Sequence, residues 1–211
     1  MNFLEKKKIL LIISGGIAAY KSLDLIRSLI KIQCEVKTIL TKGGAEFVTP
    51  LSIASLSKNK VYSGMYSVEN ESEMDHISLS RWADLILIAP ATSNIIAKMS
   101  QGISDDLATT VVQASNKSIF VCPAMNVRMW EHASNKQNLE KIKSYNYRII
   151  GPFNGEMACG EYGDGRMADI KYILNELDNF FKSKSNNKKF RAVVTAGPTR
   201  EYIDPVRYIS N

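Results

Sequence analysis

Short apolar runs alternate with amphipathic segments along most of this 211-residue chain. The apolar runs predict strands at residues 9–13, 36–40, 85–89, 118–122 and 148–150. Apolar residues at helical spacing predict helices at residues 17–32, 95–99, 107–114, about 127–145 and 169–181. Strands without polar alternation, separated by helices, are typical of a parallel sheet that is covered on both faces. We therefore expect an α/β fold with a Rossmann-like (flavodoxin-like) parallel sheet and helices on both faces.

The pattern is lost near the C-terminus. Residues 182–190 are polar and charged, as is typical of a linker. Residues 192–195 then predict a new strand, but the chain stops at Asn211, too soon for a second core. We expect a compact domain at residues 1–181, a linker, and at residues 191–211 the first strand and loop of a second domain whose remainder is absent.

The formal charge of +6 does not predict a nucleic-acid partner. Residues 9–181 carry 17 basic and 18 acidic side chains, so the excess of lysine and arginine lies at the two ends of the chain. The first apolar run is too short for a signal peptide, and no stretch approaches the length of a membrane span. We expect a cytoplasmic protein that binds neither nucleic acid nor membrane.

The three cysteines, Cys34, Cys122 and Cys159, have no metal-like spacing, so we expect neither a metal site nor disulfides. Cys34 and Cys122 lie in apolar runs, where a free cysteine behaves as a small hydrophobic residue. Cys159 lies among the four glycines of residues 155–165. That composition predicts a flexible loop that folds over a substrate and carries an exposed thiol.

Glycine, hydroxyl and amide groups follow three of the predicted strands. They are Gly15 and Gly16, Thr41, and the segment 90–94. Each group also suits a tight turn or a helix cap, which requires no ligand. Because carboxyl ends of parallel strands share one sheet edge, the three together favour a single mononucleotide pocket. The dinucleotide motif G-x-G-x-x-G is not met, so NAD is disfavoured.

Asn126 follows the strand predicted at residues 118–122 and is framed by Met125, Met129 and Trp130. This arrangement indicates a polar recognition group inside an apolar pocket. The alternative is an asparagine that caps the next helix, and on spacing alone the cap is the better supported interpretation.

The chain has two histidines. His132 has charged neighbours and is predicted to lie at the surface. His76 follows Glu71, Glu73 and Asp75, so it is either a partly buried structural residue or a proton-transfer group beside an acidic partner.

Five motifs together give the chain a family resemblance. They are Gly-Gly-Ile-Ala-Ala-Tyr-Lys at 15–21, His76, Ala-Pro-Ala-Thr-Ser-Asn at 89–94, Pro-Ala-Met-Asn-x-x-Met-Trp at 123–130 and Ala-Cys-Gly-x-x-Gly-x-Gly-Arg-Met at 158–167. The sequence resembles the homo-oligomeric flavin-containing cysteine decarboxylases. Within them it is similar to the phosphopantothenoylcysteine decarboxylases of coenzyme A biosynthesis that are joined to a phosphopantothenate–cysteine ligase. Residues 195–211 resemble the opening of that ligase, and we expect no ligase activity from so short a segment.

The resemblance implies the residues of two sites. The FMN-binding residues would be Gly15, Gly16, Ile17, Thr41, Pro90, Ala91, Thr92, Ser93, Asn94, Ala124 and Met125. The substrate 4′-phospho-N-pantothenoylcysteine would contact Asn126, Met129, Met157 and Ala158, with Asn126 holding its carboxylate. His76, Asn126 and Cys159 would be catalytic.

The implied reaction oxidises the substrate thiol to a thioaldehyde, releases CO₂ and reduces the resulting enethiol to give 4′-phosphopantetheine. His76 would act as base or orienter in the oxidative half, and Cys159 as general acid. The site would form between subunits of a trimer, alone or within a dodecamer built from trimers. Two alternatives remain: a non-catalytic flavin-binding regulatory subunit, or another superfamily enzyme such as a peptidyl-cysteine decarboxylase or a flavin prenyltransferase.

Overall fold

A computed structural model describes residues 2–64, 75–158, 160–186 and 197–210, except for the side chain of residue 186. In these residues, a sheet of six parallel strands forms the centre of the molecule. Its strands are β1 (Lys8–Ile13), β2 (Glu35–Leu40), β3 (Val61–Tyr62), β4 (Leu85–Ala91), β5 (Ser118–Pro123) and β6 (Arg148–Ile149).

The strand order is β3-β2-β1-β4-β5-β6, which is the Rossmann order. Without the two-residue edge strand β3, the remaining five strands follow the flavodoxin order. In both descriptions the order reverses between β1 and β4. Open α/β sheets bind ligands beyond the carboxyl ends of the strands at such a reversal.

Helices cover both faces of the sheet. They are α1 (Tyr20–Lys31, after a 3-10 turn at Ile17–Ala19), α2 (Lys42–Ala45), α3 (Pro50–Ser57), α4 (Asp75–Trp82), α5 (Ser93–Gln101), α6 (Leu107–Ala114), α7 (Val127–Glu131), α8 (Ala133–Ser144) and α9 (Ile170–Asn186). Helices α1, α3 and α9 contribute to one apolar core, and α4, α5, α6 and α8 to the other. Along β1, Leu11 enters the first core and Leu10 the second. Apolar residues on both faces explain why the strand sequences show no polar alternation.

The structure corrects the sequence analysis in three places. The segment predicted as a flexible loop contains an antiparallel hairpin of β7 (Phe153–Glu156) and β8 (Tyr162–Arg166). The helix predicted at 127–145 is two helices, because extended backbone at His132 ends α7 and begins α8. Helix α9 extends to Asn186, so it includes five residues of the predicted linker.

The described part of the C-terminal segment is a second small hairpin, β9 (Arg200–Tyr202) and β10 (Tyr208–Ser210), whose residues are all exposed. The strand predicted at 192–195 and the residues 187–190 of the predicted linker lie outside the described residues. Across the described ranges, no helix is both long and apolar enough to cross a membrane.

Candidate active site

The candidate site lies where the strand order reverses, and Ser14 connects the two strands there. Ser14 follows β1, is 3% exposed, and donates its hydroxyl to the Pro90 carbonyl at 2.7 Å. The Thr92 backbone N–H donates back to Ser14 Oγ at 3.1 Å. These bonds hold the loops after β1 and β4 together, and a cleft opens on either side of Gly16.

The first cleft, which we name the backbone cleft, has a volume of about 460 Å³. Its lining includes Gly15, Gly16, Thr41, Gly43, Phe47, Thr92, Asn94, Lys98, Asp106 and Met129. A side chain at Gly15 would place its Cβ 3.2 Å from the Gly43 carbonyl oxygen. The loops after β1 and β2 therefore approach so closely that main chain forms the floor of the cleft.

Two threonines of the backbone cleft cap helices, and one of them keeps a free hydroxyl proton. Thr41 Oγ1 accepts a hydrogen bond from the Gly44 N–H at 3.1 Å, and Thr92 Oγ1 accepts one from the Ile95 N–H at 3.4 Å. Thr92 Oγ1 also makes a hydrogen bond with Ser14 Oγ at 3.4 Å, whereas the Thr41 hydroxyl donates to no other described residue. The Thr41 hydroxyl can therefore donate to an anionic ligand without losing its capping role.

One wall of the backbone cleft carries a charged cluster. Lys98 Nζ lies 2.7 Å from Asp105 Oδ1 and 3.2 Å from Asp106 Oδ2. Burial alone would raise the pKa of Asp106, but hydrogen bonds from Thr109 and Lys98 outweigh burial and lower that pKa. The hydrogen bond to Asp105 is the main reason that the pKa of Lys98 is raised. Lys98 and Asp106 therefore stay ionised at neutral pH, and Asp106 caps the start of α6.

The second cleft, which we name the side-chain cavity, has a volume of about 600 Å³. Its lining includes Gly16, Ile17, Tyr20, Lys21, Ala124, Met125, Asn126, Glu156, Met157, Ala158 and Arg166. The volume is in the range of about 300–1,000 Å³ that is usual for small-molecule sites. The start of α1, the loop after β5 and the β7–β8 hairpin form its walls.

Glycines seat the hairpin against the loop after β5. The Met125 N–H donates to the Gly165 carbonyl at 3.0 Å, and a Cβ at Gly165 would collide with the Met125 carbonyl oxygen. A Cβ at Gly163 would come within 2.9 Å of Val127 Cγ2. Both glycines have positive φ, of +155° at Gly163 and +143° at Gly165, which other residues rarely adopt. Gly163 and Gly165 therefore permit close packing of the hairpin, and they are not a sign of a flexible loop.

Asn126 is both a helix cap and a cavity residue. Its Oδ1 accepts a hydrogen bond from the Met129 N–H at 2.8 Å, which caps α7. Its Nδ2 donates to no described residue, and the side chain lines the side-chain cavity. The cap that spacing favoured is therefore confirmed. Because the cap uses only the oxygen, the amide can still donate a hydrogen bond to an acceptor in the cavity.

The remaining predicted site residues divide between and around the clefts. Ile17, Ala124, Met125, Met157 and Ala158 line the side-chain cavity, whereas Met129 lines the backbone cleft. Pro90 and Ala91 are buried in β4 and, like half-buried Ser93, line neither cleft. The Pro90 carbonyl accepts a hydrogen bond from Ser14, and the Ala91 carbonyl accepts one from Ala124. Pro90 and Ala91 therefore position the loops that do line the clefts.

Two of the three predicted catalytic residues are not seen in a cleft. His76 is half-buried in the first turn of α4 and lines neither cleft. Cys159 lies outside the described residues, as do Glu71 and Glu73 beside His76. Cys34 and Cys122 are free and buried, as predicted. Burial raises the pKa of Cys34 to about 11 and also raises that of Cys122, so both stay protonated at neutral pH.

Lys21 and Arg166 also line the side-chain cavity, although their positions in the sequence predicted no role for them. Each lies in a motif that was noted for other residues. One signal could have identified Lys21 as a functional residue: it lies in the first turn of a helix, where the helix dipole disfavours a cation.

The backbone cleft offers main chain and hydroxyl groups to a ligand, and it adjoins a mostly apolar cavity where the strand order of a parallel sheet reverses. This arrangement is that of an α/β protein of the mononucleotide-binding class. The chain belongs to the Flavoprotein family, whose model matches residues 2–182. A second family, described as DNA/pantothenate metabolism flavoprotein C-terminal domain, matches residues 187–211. The fold class and the family resemblance read from the sequence are thereby confirmed.

Similar proteins agree with this membership. The coenzyme A biosynthesis bifunctional protein CoaBC of Haemophilus influenzae is 45% identical over 208 residues, which are 99% of this chain and 52% of that protein. CoaBC of Bacillus subtilis is 39% identical over 210 residues, again 99% and 52%. The chain thus spans about half the length of these relatives.

Solved structures show the same fold. A PPC decarboxylase mutant complexed with pantothenoylaminoethenethiol has a TM-score of 0.75 and 29% identity, covering 84% of this chain and 100% of that one. The FMN binding protein AtHal3 has a TM-score of 0.73 and 32% identity, covering 85% and 98%.

Proposed function

We propose that the chain is an FMN-dependent decarboxylase that converts 4′-phospho-N-pantothenoylcysteine to 4′-phosphopantetheine in coenzyme A biosynthesis. The observation that carries the proposal is Asn126, whose free amide donor lines a substrate-sized cavity beside a backbone cleft. The names of its relatives, a coenzyme A biosynthesis protein and a PPC decarboxylase, support the reaction and the pathway.

The backbone cleft fits FMN. A Cβ at Gly15 would narrow it, and the free hydroxyl proton of Thr41 suits a phosphate oxygen or a ring edge. Gly15, Gly16, Thr41, Thr92 and Asn94 would hold the cofactor there, with Ile17, Ala124 and Met125 on the side of the substrate. FMN would supply the redox chemistry that lets a carboxylate leave from the carbon adjacent to the one that bears the thiol.

Asn126 would hold the substrate carboxylate by donation from Nδ2. A neutral amide suits this task because it orients the carboxylate without neutralising it. An ammonium or guanidinium in the same place would stabilise the charged ground state more than the transition state, in which that charge leaves as CO₂. Met125 and Met157 would exclude water around the reacting carbon.

Cys159 would donate the proton that completes the product, since Met157 and Ala158 just before it line the side-chain cavity. His76 would act on the substrate thiol as base or orienter. Because His76 lines neither cleft of its own chain, we propose that it serves the site of a neighbouring subunit in a homotrimer, alone or within a dodecamer.

The decisive experiment is incubation of the FMN-loaded protein with 4′-phospho-N-pantothenoylcysteine, followed by mass spectrometry for the loss of CO₂. A purified protein that is colourless and cannot be reconstituted with FMN would refute the proposal, as would a yellow protein that leaves the substrate unchanged. A peptide with a C-terminal cysteine is the control substrate, and its conversion would indicate a peptidyl-cysteine decarboxylase.

A Cys159→Ser variant separates the two halves of the reaction. We expect it to release CO₂ and to accumulate the enethiol, because the serine hydroxyl is a far weaker acid than the thiol. The species two mass units below the product reports the block. A variant that forms product at the normal rate would remove Cys159 from this role.

A further inference from the structure

The side-chain cavity contains two cations to which the proposed function gives no task. Lys21 lies in the first turn of α1, and Arg166 is the last residue of β8. Both line the cavity that also contains Asn126. They lie close enough together that Arg166 contributes, after burial, to a lowered pKa of Lys21.

Lys21 is poorly compensated by the protein. It makes no hydrogen bond and no ion pair with a described residue, and Asp169 provides only a longer-range attraction. The N-terminal end of α1 carries positive partial charge, which favours an anion and disfavours a lysine. A partly buried cation in this position is stabilised when an anion enters the cavity.

The hairpin holds Arg166 in place. A Cβ at Gly155 would lie 2.9 Å from Arg166 Nε and 3.2 Å from its Cδ, so the arginine side chain crosses the space that this glycine leaves open. Nη1 lies 3.2 Å from Asp169 Oδ1 and Nη2 lies 3.5 Å from Asp169 Oδ2, and Nε is buried without a hydrogen-bond partner among the described residues. Arg166 is therefore positioned, but Asp169 uses only part of its donor capacity.

The other polar residues of the cavity do not compete for an anion at this place. Glu156 is the one acidic residue among the described lining residues, and it is exposed to solvent. Asn126 is neutral. The apolar remainder, which includes Ile17, Met125 and Met157, offers nothing to a charged group.

We propose that Lys21 and Arg166 bind the 4′-phosphate of the substrate and determine the preference for phosphorylated over unphosphorylated pantothenoylcysteine. This inference rests on the proposed function. A phosphate presents several acceptor oxygens to an ammonium and a guanidinium, and such charge-assisted bonds are stronger than neutral ones. The two anionic ends of the substrate are then recognised differently: the carboxylate that must leave by a neutral amide, and the phosphate that stays by cations.

The test compares Lys21→Gln and Arg166→Gln with the wild type, each loaded with FMN, on the phosphorylated and the unphosphorylated substrate. We expect kcat/KM for the phosphorylated substrate to fall by about tenfold or more in each variant, chiefly through KM, because the phosphate is bound equally in ground and transition states. The value for the unphosphorylated substrate should change by less than about twofold. Equal losses on both substrates, or no loss on either, would overturn the proposal.

Two further variants separate charge from folding. Gly155→Ala keeps every charge but moves Arg166, and we expect it to reduce the preference for the phosphate partially. Lys31→Gln removes an exposed lysine from the same helix and should leave the preference unchanged. A preference that falls equally in Lys31→Gln would show that net charge, and not the cation pair, attracts the substrate.

Calorimetric binding of 4′-phosphopantothenate and pantothenate to the wild type and Lys21→Gln separates this inference from the proposed function. Tighter binding of the phosphorylated compound, lost in Lys21→Gln, without any decarboxylation would keep the phosphate site and refute the function. Decarboxylation of both substrates with no discrimination would keep the function and refute the phosphate site.

Discussion

The two clefts that meet at Gly16 are built from different material. Main chain and capping hydroxyls form much of the backbone cleft, at the ends of strands that two apolar cores hold in place. Side chains form most of the side-chain cavity, and one of its walls is a hairpin outside the central sheet. The backbone cleft suits one fixed ligand, whereas the side-chain cavity suits recognition of the particular functional groups of a ligand.

A substitution therefore has different effects in the backbone cleft and in the side-chain cavity. In the backbone cleft, adding one carbon atom disturbs the frame itself. In the side-chain cavity, exchanging one functional group leaves the frame intact and changes what is recognised.

Gly44→Ala should abolish flavin binding and, with it, all turnover. A Cβ at Gly44 would lie 2.6 Å from the Ile13 carbonyl oxygen and 2.8 Å from Leu40 Cδ1, so α2 would have to move away from the ends of β1 and β2. Overpacking of this kind costs about 1–3 kcal/mol of unfolding free energy. Flavin absorbance and denaturant titration measure the two effects. Gly43→Ala is the stability control because its nearest contact is 3.6 Å away.

Asn126→Asp should lower kcat by at least about 100-fold, as the loss of a hydrogen bond donated to a reacting anion does elsewhere. The aspartate repels the substrate carboxylate but still accepts the Met129 N–H, so the cap on α7 remains. Steady-state kinetics and thermal unfolding should show lost activity at unchanged stability. Normal kinetics in this variant would remove Asn126 from the role of holding the carboxylate.

Gly165→Ala should weaken substrate binding while FMN stays bound. The new Cβ would collide with the Met125 carbonyl, so the hairpin would have to move away from the loop after β5. We expect KM to rise by about tenfold, and flavin content to stay at that of the wild type. Gly160→Ala is the matched control: its φ is also positive, at +79°, but nothing lies within 4 Å of its Cβ.

Asp106→Ala should cost about 1 kcal/mol of unfolding free energy, the usual value of a helix N-cap. Asp106→Asn should cost less, and Asp105→Ala close to nothing, because the exposed pair with Lys98 contributes little. The folded-state pKa of Asp106 is lowered from 3.8. Its contribution is therefore complete at neutral pH and is lost as the pH falls below about 3.8.

The sequence predicted the central sheet well and the side-chain cavity only in part. Helix α6 matches its predicted bounds, and the predicted strands match β1, β2, β4, β5 and β6 to within two residues at each end, because buried parallel strands leave a plain apolar pattern. Strand β3 was missed since it has only two residues.

The β7–β8 hairpin was missed for a different reason. Its glycines indicate flexibility when they are considered alone, and only the contacts with Met125 and Val127 show that they permit close packing. Lys21 and Arg166 come from opposite ends of the domain sequence and line the same cavity, and no local sequence pattern predicts that they lie close together.

Gly16 contributes to both clefts, with a φ of +103° that other residues rarely adopt. One stretch of main chain is therefore a wall common to the two clefts. For inhibitor design, a compound that spans this wall would occupy both compartments at once. Resistance by substitution at Gly16 would damage both at once, so the shared wall is a contact that the protein can change only with difficulty.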